Sequence, residues 1–310
     1  MTVNLIRSQR FCAKHPSVAT IGNFDGLHQG HQMLIQRLVQ HAKRHDLLAT
    51  VITFEPMPQQ CLRPQMSLLR LMSFRQKFLL LKEWGVSQVV CLRFSKAFAA
   101  ISPKDFVEEV LISNLQVKHL MVGEDFRFGR QQQGDVQLLQ QMSSEKDFVV
   151  QVVEMNQSQA QKISSTRVRE CLRQGDLVGV REQLGRNYQV SQRVVSGSRL
   201  ARTLGYPTAN LRLKPSDLAF KGVFVTHVFV DGKRYNAVTN LGTRPTLDGK
   251  NYFLEAHILD FSQDLYGKRI TVDFLQKLRD EVRFADIHAL KEQIAKDVIS
   301  AKAYFGSRIE

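Results

Sequence analysis

An α/β domain followed by an antiparallel sheet or small barrel is the fold class this 310-residue sequence predicts. Three observations lead there. Up to about residue 185, short apolar runs alternate with helical patterns, as in a parallel sheet covered on both faces. Beyond that point β-rich runs follow one another with only turns between them, which implies an antiparallel sheet or small barrel. An amphipathic helix then closes the chain.

The elements follow in order. Val18–Ile21 reads as a buried strand, leading through a Gly-rich turn into a helix with Leu34, Leu38 and Ala42 at four-residue spacing. Ala49–Phe54 is the next strand. Ser73–Trp84 is helical and stopped by Gly85, and Val89–Leu92 follows as a strand. Ser102 caps a helix running from Pro103 towards Leu115; His119–Val122 is a strand, Val136–Gln141 a helix and Phe148–Val153 a strand. After a helix ending near Leu184 come the β-rich runs Gln189–Val195, Val223–Val230, Tyr235–Thr239, Phe253–Leu259 and Ile270–Leu275. Asp231-Gly232 marks a hairpin between two of them. The last helix runs from Asp286 to about Tyr304, with Ile287, Leu290, Ile294 and Val298 on one stripe. The boundary is expected between residues 184 and 185, giving domains 1–184 and 185–310.

Composition excludes several classes. A hydrophobic fraction of 43% and a charged fraction of 23% are globular values. No run approaches the roughly 18 apolar residues of a membrane span, and the N-terminus carries no long apolar segment of a secretory signal. Cys12, Cys61, Cys91 and Cys171 lie far apart, which suits a reducing cytoplasm rather than a disulfide framework or zinc knuckle. The net charge of +14 predicts attraction to polyanions, nucleotides and phosphorylated metabolites included. The basic residues form no long runs and are not interleaved with aromatics, so a single-strand nucleic-acid platform is not expected.

The segment Thr20-Ile21-Gly22-Asn23-Phe24-Asp25-Gly26-Leu27-His28-Gln29-Gly30-His31 ends a strand and opens a helix. Backbone donors and the positive end of the helix dipole meet whatever binds there. Gly30 lets a phosphate chain approach the backbone, and His28 and His31 can both donate to phosphate oxygens. Two histidines three apart also suit a metal, but no nearby Cys, Asp or Glu completes a zinc set. Ser164, Ser165 and Thr166, with Arg167 just inside, open another helix after Lys162; hydroxyls there also serve as ordinary caps. No Gly-x-x-x-x-Gly-Lys-Ser/Thr run is present. In the second half, Gly205-Tyr206-Pro207-Thr208-Ala209-Asn210 puts the Thr208 hydroxyl and the Asn210 amide carbonyl on one side of an extended segment. These are oxygen ligands suited to Mg²⁺, although Pro-Thr-x-Asn alone is also an ordinary turn.

The chain resembles the prokaryotic bifunctional riboflavin kinase/FAD synthetase family over roughly residues 16–300. The first half carries the His28-x-Gly30-His31 element and Ser164–Arg167. It also has Thr53-Phe54-Glu55-Pro56 and Gly123-Glu124-Asp125-Phe126-Arg127-Phe128-Gly129 with Gly134-Asp135. The second half carries Pro207–Asn210, Gly222–Val225, Asn240–Thr246 with Arg244, Leu254–Phe261 with Glu255, and Asp264–Gly267, in that family's order. The resemblance implies a Rossmann-like nucleotidylyltransferase domain and a riboflavin kinase barrel. It implies riboflavin, FMN and ATP as substrates, FAD as product, and Mg²⁺ as cofactor, in a cytoplasmic monomer or weak homo-oligomer needing neither nucleic acid nor membrane. His28, His31 and Arg167 are then expected on the triphosphate of the adenylylation site, with Gly22, Asn23, Phe24, Asp25 and Gly30 around it. Asp125, Phe126 and Phe128 are expected on the nucleotide or flavin. Glu255 is the expected base, Thr208 and Asn210 the metal ligands, with Gly205, Pro207 and Arg244 nearby. Two departures from the family pattern stand out: Met57 where some members have His, and Ala201 where most have Gly. A basic nucleic-acid-binding protein with a degenerate transferase core is the competing class, marked by salt-dependent retention on DNA.

Overall fold

The computed structural model describes residues 3–7, 12–13, 15–65, 69–153, 163–197, 203–213, 220–246 and 249–307. Lys162 and the loop around Ala201 lie outside the described residues. The chain divides into two units: residues 1–68 with 74–164, and residues 69–73 with 165–310.

The first unit is a six-stranded parallel sheet. Its elements are β1 (Asn4–Ile6), β2 (Ser17–Ile21), α1 (Gln29–His45), β3 (Leu48–Glu55), α2 (Pro58–Leu62), α3 (Phe74–Glu83) and β4 (Gln88–Arg93), then α4 (Lys96–Ala99), α5 (Pro103–Asp105), β5 (Val117–Gly123), α6 (Val136–Glu145) and β6 (Val149–Val153). The strand order is β1-β4-β3-β2-β5-β6. Strands β2, β3 and β4 are buried over nearly their whole length, as strands covered on both faces must be. β1 escaped the sequence reading because three residues with one buried side chain carry no periodicity. The helix expected from Pro103 to Leu115 is a single α-turn capped by Ser102 and continued in π-helical form over Phe106–Asn114. The chain builds outward from β2 on one side, then returns to place β5 on the other side of β2. That reversal makes a crevice at the carboxyl ends of β2 and β5, where ligands of such sheets bind.

The second unit holds α7 (Ser165–Gln174), α8 (Leu177–Leu184), strands β7 (Tyr188–Val195), β8 (Ala209–Leu213), β9 (Gly222–Val230), β10 (Lys233–Thr246), β11 (Gly249–Ile258) and β12 (Arg269–Arg279), and helix α9 (Ile287–Gly306). The strands close into an antiparallel barrel in the order β10-β11-β8-β7-β12-β9. Asp231 and Gly232 both have positive φ, 48° and 81°, the mirror-image turn whose twist matches the flanking strands. Asp286 caps α9 by accepting from Ala289 N at 2.8 Å. Leu290, Ile294 and Val298 of the expected stripe are part-buried, whereas Ile287 is 57% exposed because the helix starts beyond the barrel's cover.

The packing division falls before Ser165, whereas the change from alternating elements to consecutive strands falls at residue 185. Val168, Cys171 and Leu172 of α7, and Leu177, Val180 and Leu184 of α8, join Tyr188, Phe220 and Phe274 in one apolar core. Leu69 and Leu71 join the same core, and Arg169 Nε donates to the Leu69 carbonyl at 2.7 Å. The two helices therefore belong with the barrel by packing, although their α-type pattern resembles what precedes them.

Candidate active sites, one in each unit

In the first unit the site is the turn between β2 and α1. Gly22 N donates to the Ile52 carbonyl at 3.1 Å, which extends the β2–β3 ladder into the turn. Phe24 and Leu27 then adopt left-handed backbone, φ 47° and 45°. Such conformations cost bulky residues about 1–3 kcal/mol each. Burial offsets that cost, since Phe24 is 2% exposed and Leu27 fully buried. The Phe24 ring also crowds position 22, where a Cβ would stand 3.2 Å from it and the ring would have to give way. Phe24, expected at the nucleotide, is here a buried anchor of the turn. Asp25 is buried in the same turn.

Helix α1 starts at Gln29, with His28 at the cap position and no acidic side chain in the first turn. The first-turn amides point out along the axis with the positive end of the dipole. The His28 and His31 rings stack at 3.6 Å, 20° from parallel, and the Phe24 ring meets His31 edge-on at 5.1 Å. Burial first, then the neighbouring His28 and Lys77, hold the half-buried His31 well below the ordinary imidazole range. Lys77 was not read from the sequence. It is 1% exposed, and its Nζ donates to the Asn23 carbonyl at 2.6 Å and to Thr53 Oγ1 at 3.2 Å. The signal was there: Lys77 sits four residues before the buried Leu81, on the inward face of α3.

Across the crevice, β5 ends at Gly123 and the exposed Asp125 follows. Phe128 lies in the core instead, 6% exposed, stacked on Phe126 at 5.6 Å and against Phe106. A Cβ on Gly134 would strike its ring at 2.6 Å. Arg127 pairs with Asp135, the cap of α6, at 2.9 Å. Phe128 packs in the core here, Phe126 keeps part of its ring exposed, and the flavin contact expected of them stays a reading of the sequence. Ser165, Thr166 and Arg167 open α7 in the second unit, and Arg167 Nη1 reaches Glu170 Oε2 at 3.3 Å. The triphosphate role expected of them, and of Ser164, stays a reading of the sequence.

In the second unit the site lies on the outside of the barrel. Leu254, Ala256 and Ile258 point into the barrel core, so Glu255 and His257 point out. The register places Asn210 on β8, Glu255 on β11 and Asn240 on β10 in one row across three strands. Directly paired residues share a face, and the half-buried Glu255 carboxylate has an amide side chain on either side. Helix α9 covers part of this face, leaving a cavity of about 250 Å³. Glu255, Thr208, Asn240 and His257 line its barrel side, and Leu290, Ile294 and Val298 its helical side. Asn210 Nδ2 donates to the Thr208 carbonyl and hydroxyl at 3.2 and 3.3 Å, while its Oδ1 is buried with no hydrogen-bond partner among the described residues.

Two family models match the chain, one described as FAD synthetase over residues 11–167 and one as riboflavin kinase over residues 184–305. The bifunctional riboflavin kinase/FMN adenylyltransferase of Escherichia coli (strain K12) is 41% identical over 290 residues, 93% of each chain. The chain belongs to the bifunctional riboflavin kinase/FMN adenylyltransferase family. The Pseudomonas fluorescens protein of the same description is 42% identical over 288 residues, 92% of each chain. A solved Streptococcus pneumoniae structure, described as a macrolide-efflux protein, superposes with a TM-score of 0.85 at 29% identity, covering 97% of this chain and 99% of that one. Efflux is said of that protein; among the described residues here, no helix is long and apolar enough to cross a membrane.

The kinase half of this bifunctional family member holds further residues that sequence reasoning left out. Arg279 at the end of β12 makes a bidentate pair with Asp297 of α9, at 2.9 and 2.7 Å, and Gln293 adds a third hydrogen bond to Asp297. The pair lies in the cavity wall and ties helix to barrel. An aspartate beside Val298 on the apolar stripe was the available signal, since a buried acid needs a cation. His257 Nδ1 lies 2.9 Å from the Pro207 carbonyl, and Tyr206 meets its ring edge-on. Gly205, with φ 92°, makes the turn before them. Arg244 pairs with Asn251 in the β10–β11 ladder, and its side chain lies outside what is described.

Proposed function

We propose that the second unit transfers the terminal phosphoryl group of ATP to the primary alcohol of riboflavin, and that the first unit joins the AMP part of another ATP to the resulting FMN. The observation that carries the kinase reading is the Asn210–Glu255–Asn240 row, whose Glu255 and Asn240 stand on the wall of a cavity with an apolar helical face. The apolar face suits a flavin ring, and Glu255 takes the alcohol's proton as the oxygen attacks phosphorus. The orphaned Asn210 Oδ1 and the Thr208 hydroxyl are hard oxygen donors and fit Mg²⁺, whose other ligands would be phosphate oxygens and water. When bound, the ion supplies charge neutralisation on the phosphates.

Adenylylation needs less of the protein. The FMN phosphate is already ionised, and pyrophosphate leaves once its charge is stabilised. The first turn of α1, His28 and His31 support that stabilisation, by positioning and electrostatics rather than proton transfer. The remaining expectations accompany this reading: a cytoplasmic enzyme, a monomer or weak homo-oligomer, acting on small molecules without nucleic acid. Incubation with riboflavin and ATP, with and without Mg²⁺, tests the whole scheme. FMN and then FAD should appear on a chromatogram only with the metal, and a mixture retaining riboflavin alone would refute it.

The division of labour gives a stability prediction. A fragment of residues 165–310 keeps α7 and α8 over the barrel and should phosphorylate riboflavin. A fragment of residues 185–310 loses the buried Cys171 and five buried aliphatic side chains, each of the five worth about 1.5–3 kcal/mol when fully buried. Its urea midpoint should fall well below that of the longer fragment. Equal midpoints would show that the helices do not stabilise the barrel.

A further inference from the structure

We propose that Lys77 is a positioning residue of the adenylylation site, holding the Gly22–His31 turn in the shape that presents His31 to the triphosphate. This rests on the reading that His28 and His31 meet ATP. Lys77 is almost wholly buried, and removing an ammonium from water is costly unless the charge is well used. Its Nζ binds the Asn23 carbonyl in the turn after β2 and Thr53 Oγ1 near the end of β3. Thr53 Oγ1 also donates to the Asn23 carbonyl, at 3.4 Å. One side chain from α3 therefore pins the turn to the neighbouring strand just before the strained Phe24.

The same ammonium acts on His31. The groups opposing a proton on that ring, after burial itself, are His28 from the cap of its own helix and the Lys77 ammonium from α3. Asp25 is the only acid in the segment 20–31. His31 Nδ1 is buried without a hydrogen-bond partner among the described residues, so no local acceptor stabilises the protonated ring at that nitrogen. A neutral His31 can stack on His28 without two cations meeting at 3.6 Å. Lys77 thus acts twice on one histidine, through the turn's shape and through its charge.

The test uses full-length enzyme with Lys77→Met, Lys77→Arg and His31→Ala, read by flavin chromatography and by NMR titration of the histidine rings. Lys77→Met should lower kcat for FMN adenylylation at least ~10-fold, with the FMN KM within about threefold. Its His31 titration should move up towards the ordinary value near 6.5, with the acid limb of the pH–rate profile moving up too. Lys77→Arg should restore the titration and part of kcat, and neither variant should change riboflavin phosphorylation. The shifted titration alone would report only the lost charge; the positioning role requires the kcat loss beside it and its part recovery in Lys77→Arg. If Lys77→Met keeps kcat within about twofold while His31→Ala is inactive, the Lys77 proposal falls and the site stands. If His31→Ala still makes FAD, the site reading itself falls. Should Lys77→Met not fold, the wild-type enzyme decides: a His31 that titrates at or above about 6.5 overturns the proposal.

Discussion

Replacing His31 by alanine should stop the conversion of FMN to FAD while riboflavin phosphorylation continues. The loss expected is at least ~10²-fold in adenylylation, the usual effect of removing a donor aimed at developing charge. The imidazole is also a packing element of the turn. It stacks on His28 and is met edge-on by the anchored Phe24 ring, so its removal also loosens His28. The His28→Ala variant should show the same selective loss. Riboflavin phosphorylation should continue because the residues proposed for it, Thr208, Asn210 and Glu255, and the cavity under α9 all belong to the second unit, whereas His31 belongs to the first. The measurement is FMN and FAD production from riboflavin and MgATP by one preparation: FMN should accumulate and FAD should not. A folded variant losing both activities equally would show that the two reactions share a site.

Glu255→Gln should lower riboflavin phosphorylation about 10²–10⁴-fold, the ordinary worth of a general base, and leave adenylylation of added FMN unchanged. Glutamine keeps the shape and can still hydrogen-bond in the Asn210–Glu255–Asn240 row, but cannot accept the alcohol's proton. The effect should therefore appear in kcat, with the riboflavin KM changed little. Near-normal FMN formation would place the base elsewhere, and the cavity's other carboxylates, Glu281 and Asp297, would become the next to test. Asp297 is the weaker of these, since the Arg279 guanidinium already engages both its oxygens.

What the sequence determined by itself was everything written in neighbouring residues. The alternation of apolar runs and helical patterns separates parallel sheet from barrel. Asp231-Gly232 makes a hairpin because its two residues tolerate positive φ. Asp286 starts α9 because its carboxylate reaches an amide three residues on. The β2–α1 turn could be recognised because a strand end, glycines and two histidines lie within twelve residues. Tertiary structure alone decided what depends on residues far apart. Helices α7 and α8 read as a continuation of the first half, and their buried faces assign them to the barrel. The barrel closes through β9 and β12, some forty residues apart, so no local pattern announces it. Glu255 faces α9 because a one-residue change of register would turn it into the core. Asn210 and Asn240 flank it only because three strands align in that register. Lys77 reaches Asn23 across 54 positions of sequence. The lowered proton affinity of His31 follows from burial first, then from His28 at the cap of its own helix and Lys77 on another, and electrostatic environment is a property of space rather than of sequence order.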